Sequence, residues 1–116
     1  MQPMGHVQLI RNLIDYDLNP QQAVDAPRWY ITGTGDTQSS RDMLNSGVVL
    51  ETGYGEDKQD SIEEALRATG HRVETAISGE KRSLFGRAQV IIQYDQTKAK
   101  WAGSDPRCDG CAMPQI

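Results

Sequence analysis

The first thirty residues constrain this chain most, because they prescribe two helices joined by a short turn and stopped by a proline. Val7, Ile10 and Ile14, with Leu9 and Leu13 beside them, recur at helical spacing over residues 4–16. That period predicts an amphipathic helix with Arg11, Asn12 and Asp15 on its polar side. Asp17, Leu18 and Asn19 turn the chain. Asn19 is a good N-cap, Pro20 suits the first helical position, and Gln22 can reach back as a capping-box partner. Ala23, Val24 and Ala26 are the expected core face of this second helix. Pro27 ends it, because a proline disfavours helical geometry in the residue before it. Residues 28–31 then read as a short strand.

Downstream, residues 32–47 are polar and follow neither period. A stretch of roughly 15 such residues is functional, mobile or packed on something else. Residues 48–52 read as a strand. Asp60, with Glu63 three places on, is the expected N-cap of a third helix with Ile62, Ala65 and Leu66 buried and Gly70 at its C-terminal cap. Residues 72–77 alternate as a half-buried strand. The clearest strand is 87–94, with Ala88, Val90, Ile92 and Tyr94 on one face and Gln89, Ile91 and Gln93 on the other. A turn at 95–98 leads into 99–102, completing a hairpin. Three helices and four or five strands, without an internal repeat, predict an α+β or layered α/β fold with a mainly antiparallel sheet.

With 116 residues, the chain is large enough for one core and not for two. Its net charge of −4 argues against nucleic acid as a main partner, since phosphate binding needs a basic face. No apolar run approaches the roughly 18 residues of a membrane span. No secretory signal pattern is visible at the N-terminus. Two cysteines leave the compartment open.

Several residues invite a chemical reading. Cys108 and Cys111 have a metal-ligand or redox spacing, but only His6 and His71 are available to complete a zinc site, from distant elements. The setting is an irregular tail rather than a strand-to-helix junction, so free thiols or a small loop are the simpler reading, with a local disulfide as the alternative. His6 reads as a hydrogen-bonded residue at the core edge, and His71, following the helix-ending Gly70, as structural. Asp105 and Arg107 flank a proline and suit an ion pair that fixes the tail. Asp25 and Arg28 bracket the end of the second helix, as an ion pair or a carbonyl cap. The glycines near Thr32 and Asn45 lack the strand, helix and lysine of a phosphate loop.

Four segments carry a family resemblance: residues 1–8 (Met-Gln-Pro-Met-Gly-His-Val-Gln); 12–19 running into 23–28 (Ala-Val-Asp-Ala-Pro-Arg); 64–71 (Glu-Ala-Leu-Arg-Ala-Thr-Gly-His); and 85–89 with 103–110 (Gly-Ser-Asp-Pro-Arg-Cys-Asp-Gly). In order and spacing this arrangement resembles the C-terminal part of the small subunit of the gamma-glutamyltranspeptidase, or glutathione hydrolase, family of N-terminal-nucleophile hydrolases. The resemblance implies a partial αββα layered sandwich, with helices on one face of a mainly antiparallel sheet. It also implies that residues 1–116 are a single domain. The family cleaves gamma-glutamyl amides such as glutathione through an N-terminal threonine acyl-enzyme and passes the glutamyl group to water or amino acids. A Gly-Gly pair supplies its oxyanion donors. No Thr here is followed by His, and no Gly-Gly pair occurs.

Transfer residue by residue therefore gives no catalytic position, no metal ligand and no cofactor. Met1 and Gln2, at the start of the first helix, are the expected substrate-adjacent residues. Asp25, Arg28, Asp105 and Arg107 are the expected structural motif. The implied partners are the upstream remainder of the small subunit, the large subunit of the same precursor, and glutathione or gamma-glutamyl peptides in the complete enzyme. The complete family is often extracytoplasmic. Uncovered sheet edges would be open to pairing. The alternative is a stand-alone, non-catalytic interaction domain derived from that fold.

Overall fold

The computed structural model describes residues 2–32 and 46–114. Met1 and most of the polar 32–47 segment lie outside the described residues. Two compact units are present, Pro27–Phe85 and the combination of Gln2–Ala26 with Gly86–Ile116.

In the first unit, β1 (Trp29–Ile31), β2 (Gly47–Glu51) and β3 (Arg72–Ile77) form one sheet in the order β1-β2-β3. β1 pairs antiparallel with β2, matching Tyr30 to Val49. β2 pairs parallel with β3, matching Val48 to Val73, with an irregularity between Val49 and Glu51. Parallel neighbours need a crossover, and helix α3 (Glu56–Ala68) supplies it. As the central strand, β2 is buried on both sides, which is why Val48, Val49 and Leu50 run without alternation. A 3-10 helix (Gly79–Phe85) follows β3 and delivers Phe85, fully buried, against Val49 and Ile77. Tyr30 meets the Phe85 ring edge-on, with centroids 5.1 Å apart. Burying a ring of this size contributes about 1.5–3 kcal/mol.

Helix α3 begins a turn earlier than Asp60. Gly55, at φ +87, reverses the chain at the N-cap, and Glu56 and Asp57 place carboxylates on the positive end of the helix dipole. Asp60 therefore falls inside the helix. Its stripe is also shallower than expected, with Ile62 and Leu66 half-buried and Ala65 exposed. Gly70, at φ +91, ends the helix.

In the second unit, α1 (Gln2–Ile14) and α2 (Pro20–Asp25) accompany the antiparallel hairpin of β4 (Gln89–Gln93) and β5 (Lys100–Ser104). The capping box at Asn19 is complete: its side chain accepts from Gln22 N–H at 2.9 Å, and the Gln22 amide oxygen accepts from Asn19 N–H at 3.1 Å. Ala23 and Val24 are fully buried.

Helix α1 is turned differently from its predicted face. Leu9, Leu13 and Asn12 are half-buried, and the Asn12 amide donates to the Ala23 carbonyl at 3.2 Å. Val7, Ile10 and Ile14 are instead 55%, 53% and 75% exposed. Helix α1 carries two apolar sides, and the one that packs includes Asn12, whose amide meets a carbonyl of α2.

β5 lies close against α2. A Cβ at Gly103 would sit 2.5 Å from both the carbonyl carbon and oxygen of Pro20, so no side chain fits there. Gly103→Ala is expected to destabilise the protein by about 1–3 kcal/mol through overpacking against rigid backbone. A urea midpoint unchanged from wild type would rule out this close approach.

Candidate functional site

Two buried carboxylate–guanidinium clusters are the most organised chemistry among the described residues, one in each unit. In the first, Glu51 ends the apolar run of β2 and is fully buried. Its Oε2 accepts from the main-chain N–H of Arg28 at 2.9 Å, and Oε1 pairs with Arg82 on the 3-10 helix. Antiparallel pairing of β1 and β2 sets this geometry, since the Glu51 N–H also donates to the Arg28 carbonyl at 3.0 Å. Arg28 is itself 2% exposed, and its Nη1 donates to the Phe85 carbonyl at 3.4 Å. Strand, loop and 3-10 helix are thus tied through one carboxylate.

The second cluster joins the chain after β5 to the end of α2. Asp105 Oδ1 accepts from the Arg107 N–H at 2.9 Å and from Arg107 Nη1 at 3.0 Å, while Oδ2 accepts from the Ala88 N–H at 3.0 Å. The Arg107 guanidinium also reaches the C-terminal carbonyls of α2, with Nη1 2.7 Å from Val24 O and Nη2 2.9 Å from Ala26 O. Those are groups that a helix end leaves without intrahelical partners, and a cation there also meets the negative end of the dipole. Both side chains of the ion pair are fully buried. Nearby, the Gln21 amide accepts from Ser104 N–H at 3.1 Å and donates to Ser104 O at 3.0 Å.

Chemically, these clusters hold chain segments in register. A general base must reach a proton on a bound substrate, and Glu51 and Asp105, at 0% and 1% exposure, face protein. Elsewhere, Thr32, Gly47, Arg72 and Glu74 line an open depression of about 170 Å³, and Glu56, Asp60, Glu63 and Thr75 line another of about 380 Å³. Among the described residues, no three His, Cys, Asp or Glu side chains are grouped to hold a metal ion. On the surface, a hydrogen bond to Asp15 and the charges of Tyr16 and Asp15 raise the Arg11 guanidinium above its ordinary value.

The residues singled out from the sequence separate accordingly. Gln2 is the exposed first residue of α1, and Met1 lies outside the described residues. Asp25 is exposed and accepts from Gln21 Nε2 at 2.8 Å, while the carbonyls near it are taken by Arg107. Asp105 and Arg107 come together. His6 is exposed on α1 rather than at a core edge, again because α1 turns its other side inward. His71 is exposed just after Gly70. Both cysteines are free thiols. Glu51 and Arg82 were missed by reading the sequence. The available signal was a carboxylate closing an all-apolar strand, which must find a buried partner.

A profile of the gamma-glutamyltranspeptidase family matches residues 1–115. The chain is 30% identical over 112 residues to the glutathione hydrolase-like YwrD proenzyme of Bacillus subtilis (strain 168), covering 97% of this chain and 19% of that protein. It therefore spans about a fifth of that relative's length. Cephalosporin acylase from Bacillus halodurans superposes with a TM-score of 0.71 at 35% identity, covering 94% of this chain and 17% of that one. Gamma-glutamyltranspeptidase from Pseudomonas nitroreducens gives 0.63 at 22% identity, covering 97% of this chain and 49% of that one. The mixed helices and open sheets are thus those of the N-terminal-nucleophile hydrolase fold. The match along nearly every residue, with the same fold beneath it, makes this chain a member of the gamma-glutamyltranspeptidase family, corresponding to a fragment of such a protein.

Proposed function

We propose that residues 1–116 are the C-terminal portion of the small subunit of a gamma-glutamyltranspeptidase-like hydrolase. The whole protein cleaves gamma-glutamyl amides such as glutathione and passes the glutamyl group to water or an amino acid. The observation that carries this reading is a family match over residues 1–115 in a chain spanning only 19% of its curated relative. The attacking threonine and the Gly-Gly oxyanion donors then belong to polypeptide outside these residues, together with the large subunit. The exposed apolar side of α1 (Val7, Ile10 and Ile14) supports the same reading, since a helix apolar on two sides is ordinarily covered on both. Within this scheme Asp25, Arg28, Asp105 and Arg107 support the scaffold, and Met1 and Gln2 lie nearest the substrate.

A second substrate class has its own support. At 35% identity the cephalosporin acylase is the more similar in sequence of the two solved relatives described above. The same scaffold would then serve hydrolysis of a different acyl amide.

One assay addresses both. The 116-residue chain alone is expected to release no chromophore from a gamma-glutamyl anilide, whereas the complete protein turns it over. Turnover by the isolated chain at enzyme-like rates would refute the assignment of the nucleophile elsewhere. Preference of the complete protein for an acylated cephalosporin over the anilide would select the second substrate class.

A further inference from the structure

The proposed hydrolase scaffold makes no use of the two cysteines. We infer that Cys108 and Cys111 form a reversible dithiol–disulfide pair that closes the loop following the buried Arg107. Two residues separate them, and their surroundings differ. Cys111 is exposed, and its thiol lies 3.9 Å from its neighbour's carbonyl, Ala112 O. Cys108 is half-buried and held in place. Its N–H donates to Asp105 O at 3.3 Å, its thiol approaches the same oxygen at 3.5 Å, and Gln89 Nε2 lies 3.8 Å from its sulfur.

The Gln89 amide also covers Gly110. A Cβ at Gly110 would come within 2.5 Å of Gln89 Nε2, so one side chain on β4 sits over both the fixed thiol and the link to the free one. An accessible attacking sulfur with a sheltered resolving sulfur three positions away in the chain suits thiol–disulfide exchange that runs to an internal bond. Residues 110–114 belong to no helix or strand, so the backbone there can adjust to the narrow distance range a disulfide demands. A metal would need further ligands, and none is grouped with these two among the described residues.

The oxidant is a low-molecular-weight disulfide. The Cys111 thiolate attacks one of its sulfurs, forming a mixed disulfide and expelling one thiolate. The Cys108 thiolate then attacks the Cys111 sulfur and expels the second. Two protein S–H bonds are lost and one S–S bond is made. The oxidant's S–S bond becomes two S–H bonds, which take up the two protons.

The test is incubation of the purified protein with bis(2-hydroxyethyl) disulfide, followed by mass spectrometry of the intact chain and its non-reduced peptides. This reagent carries no gamma-glutamyl group, so the outcome is independent of the hydrolase reading. The expected product has lost two hydrogens, carries a Cys108–Cys111 cross-link, and returns to the starting mass with dithiothreitol. C108S is expected to stop at a stable adduct on Cys111. A wild-type protein that halts at that same adduct, dimerises through Cys111 or fails to react overturns the inference.

Discussion

Arg107→Met is expected to lower stability by about 3–5 kcal/mol, the loss typical of removing one partner from a buried ion pair. Asp105 would be left with an uncompensated carboxylate, and the Val24 and Ala26 carbonyls would lose their donors. Arg107→Lys should recover only part of the loss, because a single ammonium cannot present the planar fork that meets one carboxylate and two carbonyls together. The double variant Asp105→Asn/Arg107→Met should be less damaged than the sum of its parts, since it leaves no buried charge behind. Urea unfolding followed by Trp101 fluorescence in a Trp29→Phe background reports on this unit. A loss for Arg107→Met below about 1 kcal/mol, the range of exposed pairs, would show that the guanidinium is solvated and the clamp is not formed.

Glu51→Ala should be nearly as costly, in the lower part of the same range of about 3–5 kcal/mol. The carboxylate is fully buried, but the side chain of Arg82 is 29% exposed and can turn toward water when its partner is gone. Glu51→Gln keeps an oxygen for the Arg28 N–H and should cost less than the alanine change. Trp29, on β1 beside the cluster, is the natural reporter, read with Trp101→Phe in place. If Gln and Ala variants unfold at the same denaturant concentration as wild type, the tie between β1, β2 and the 3-10 helix is not what holds this unit.

Much of the architecture was legible because local rules and tertiary structure agree. Asn19, Pro20 and Gln22 form the capping box their order announces, and Gly70 ends α3 as a glycine past a helix should. The hairpin around 95–98 follows from alternation on both sides of a polar turn. Failures came where two local solutions competed. In α1 both sides are apolar, so periodicity could not say which one packs; the packed side is the one on which Asn12 meets the Ala23 carbonyl. At α3 an acidic first turn after Gly55 overrode a good cap at Asp60. The parallel pairing of β2 with β3 was hidden because pairing direction depends on the path of the connection and leaves no mark in either strand. Asp105 and Arg107 announced each other by proximity, but nothing local revealed that Arg107 also reaches across 83 positions to Val24. Glu51 and Arg82, 31 positions apart, were invisible for the same reason.

The Gln21 amide bonded to both main-chain groups of Ser104 has a consequence for self-association. Those two groups point away from β4, where a strand from a neighbouring molecule would otherwise dock. A primary amide offers the same donor and acceptor that such a strand would bring, so this end of β5 is already occupied by a one-residue surrogate. A strand approaching along this margin would first have to displace Gln21.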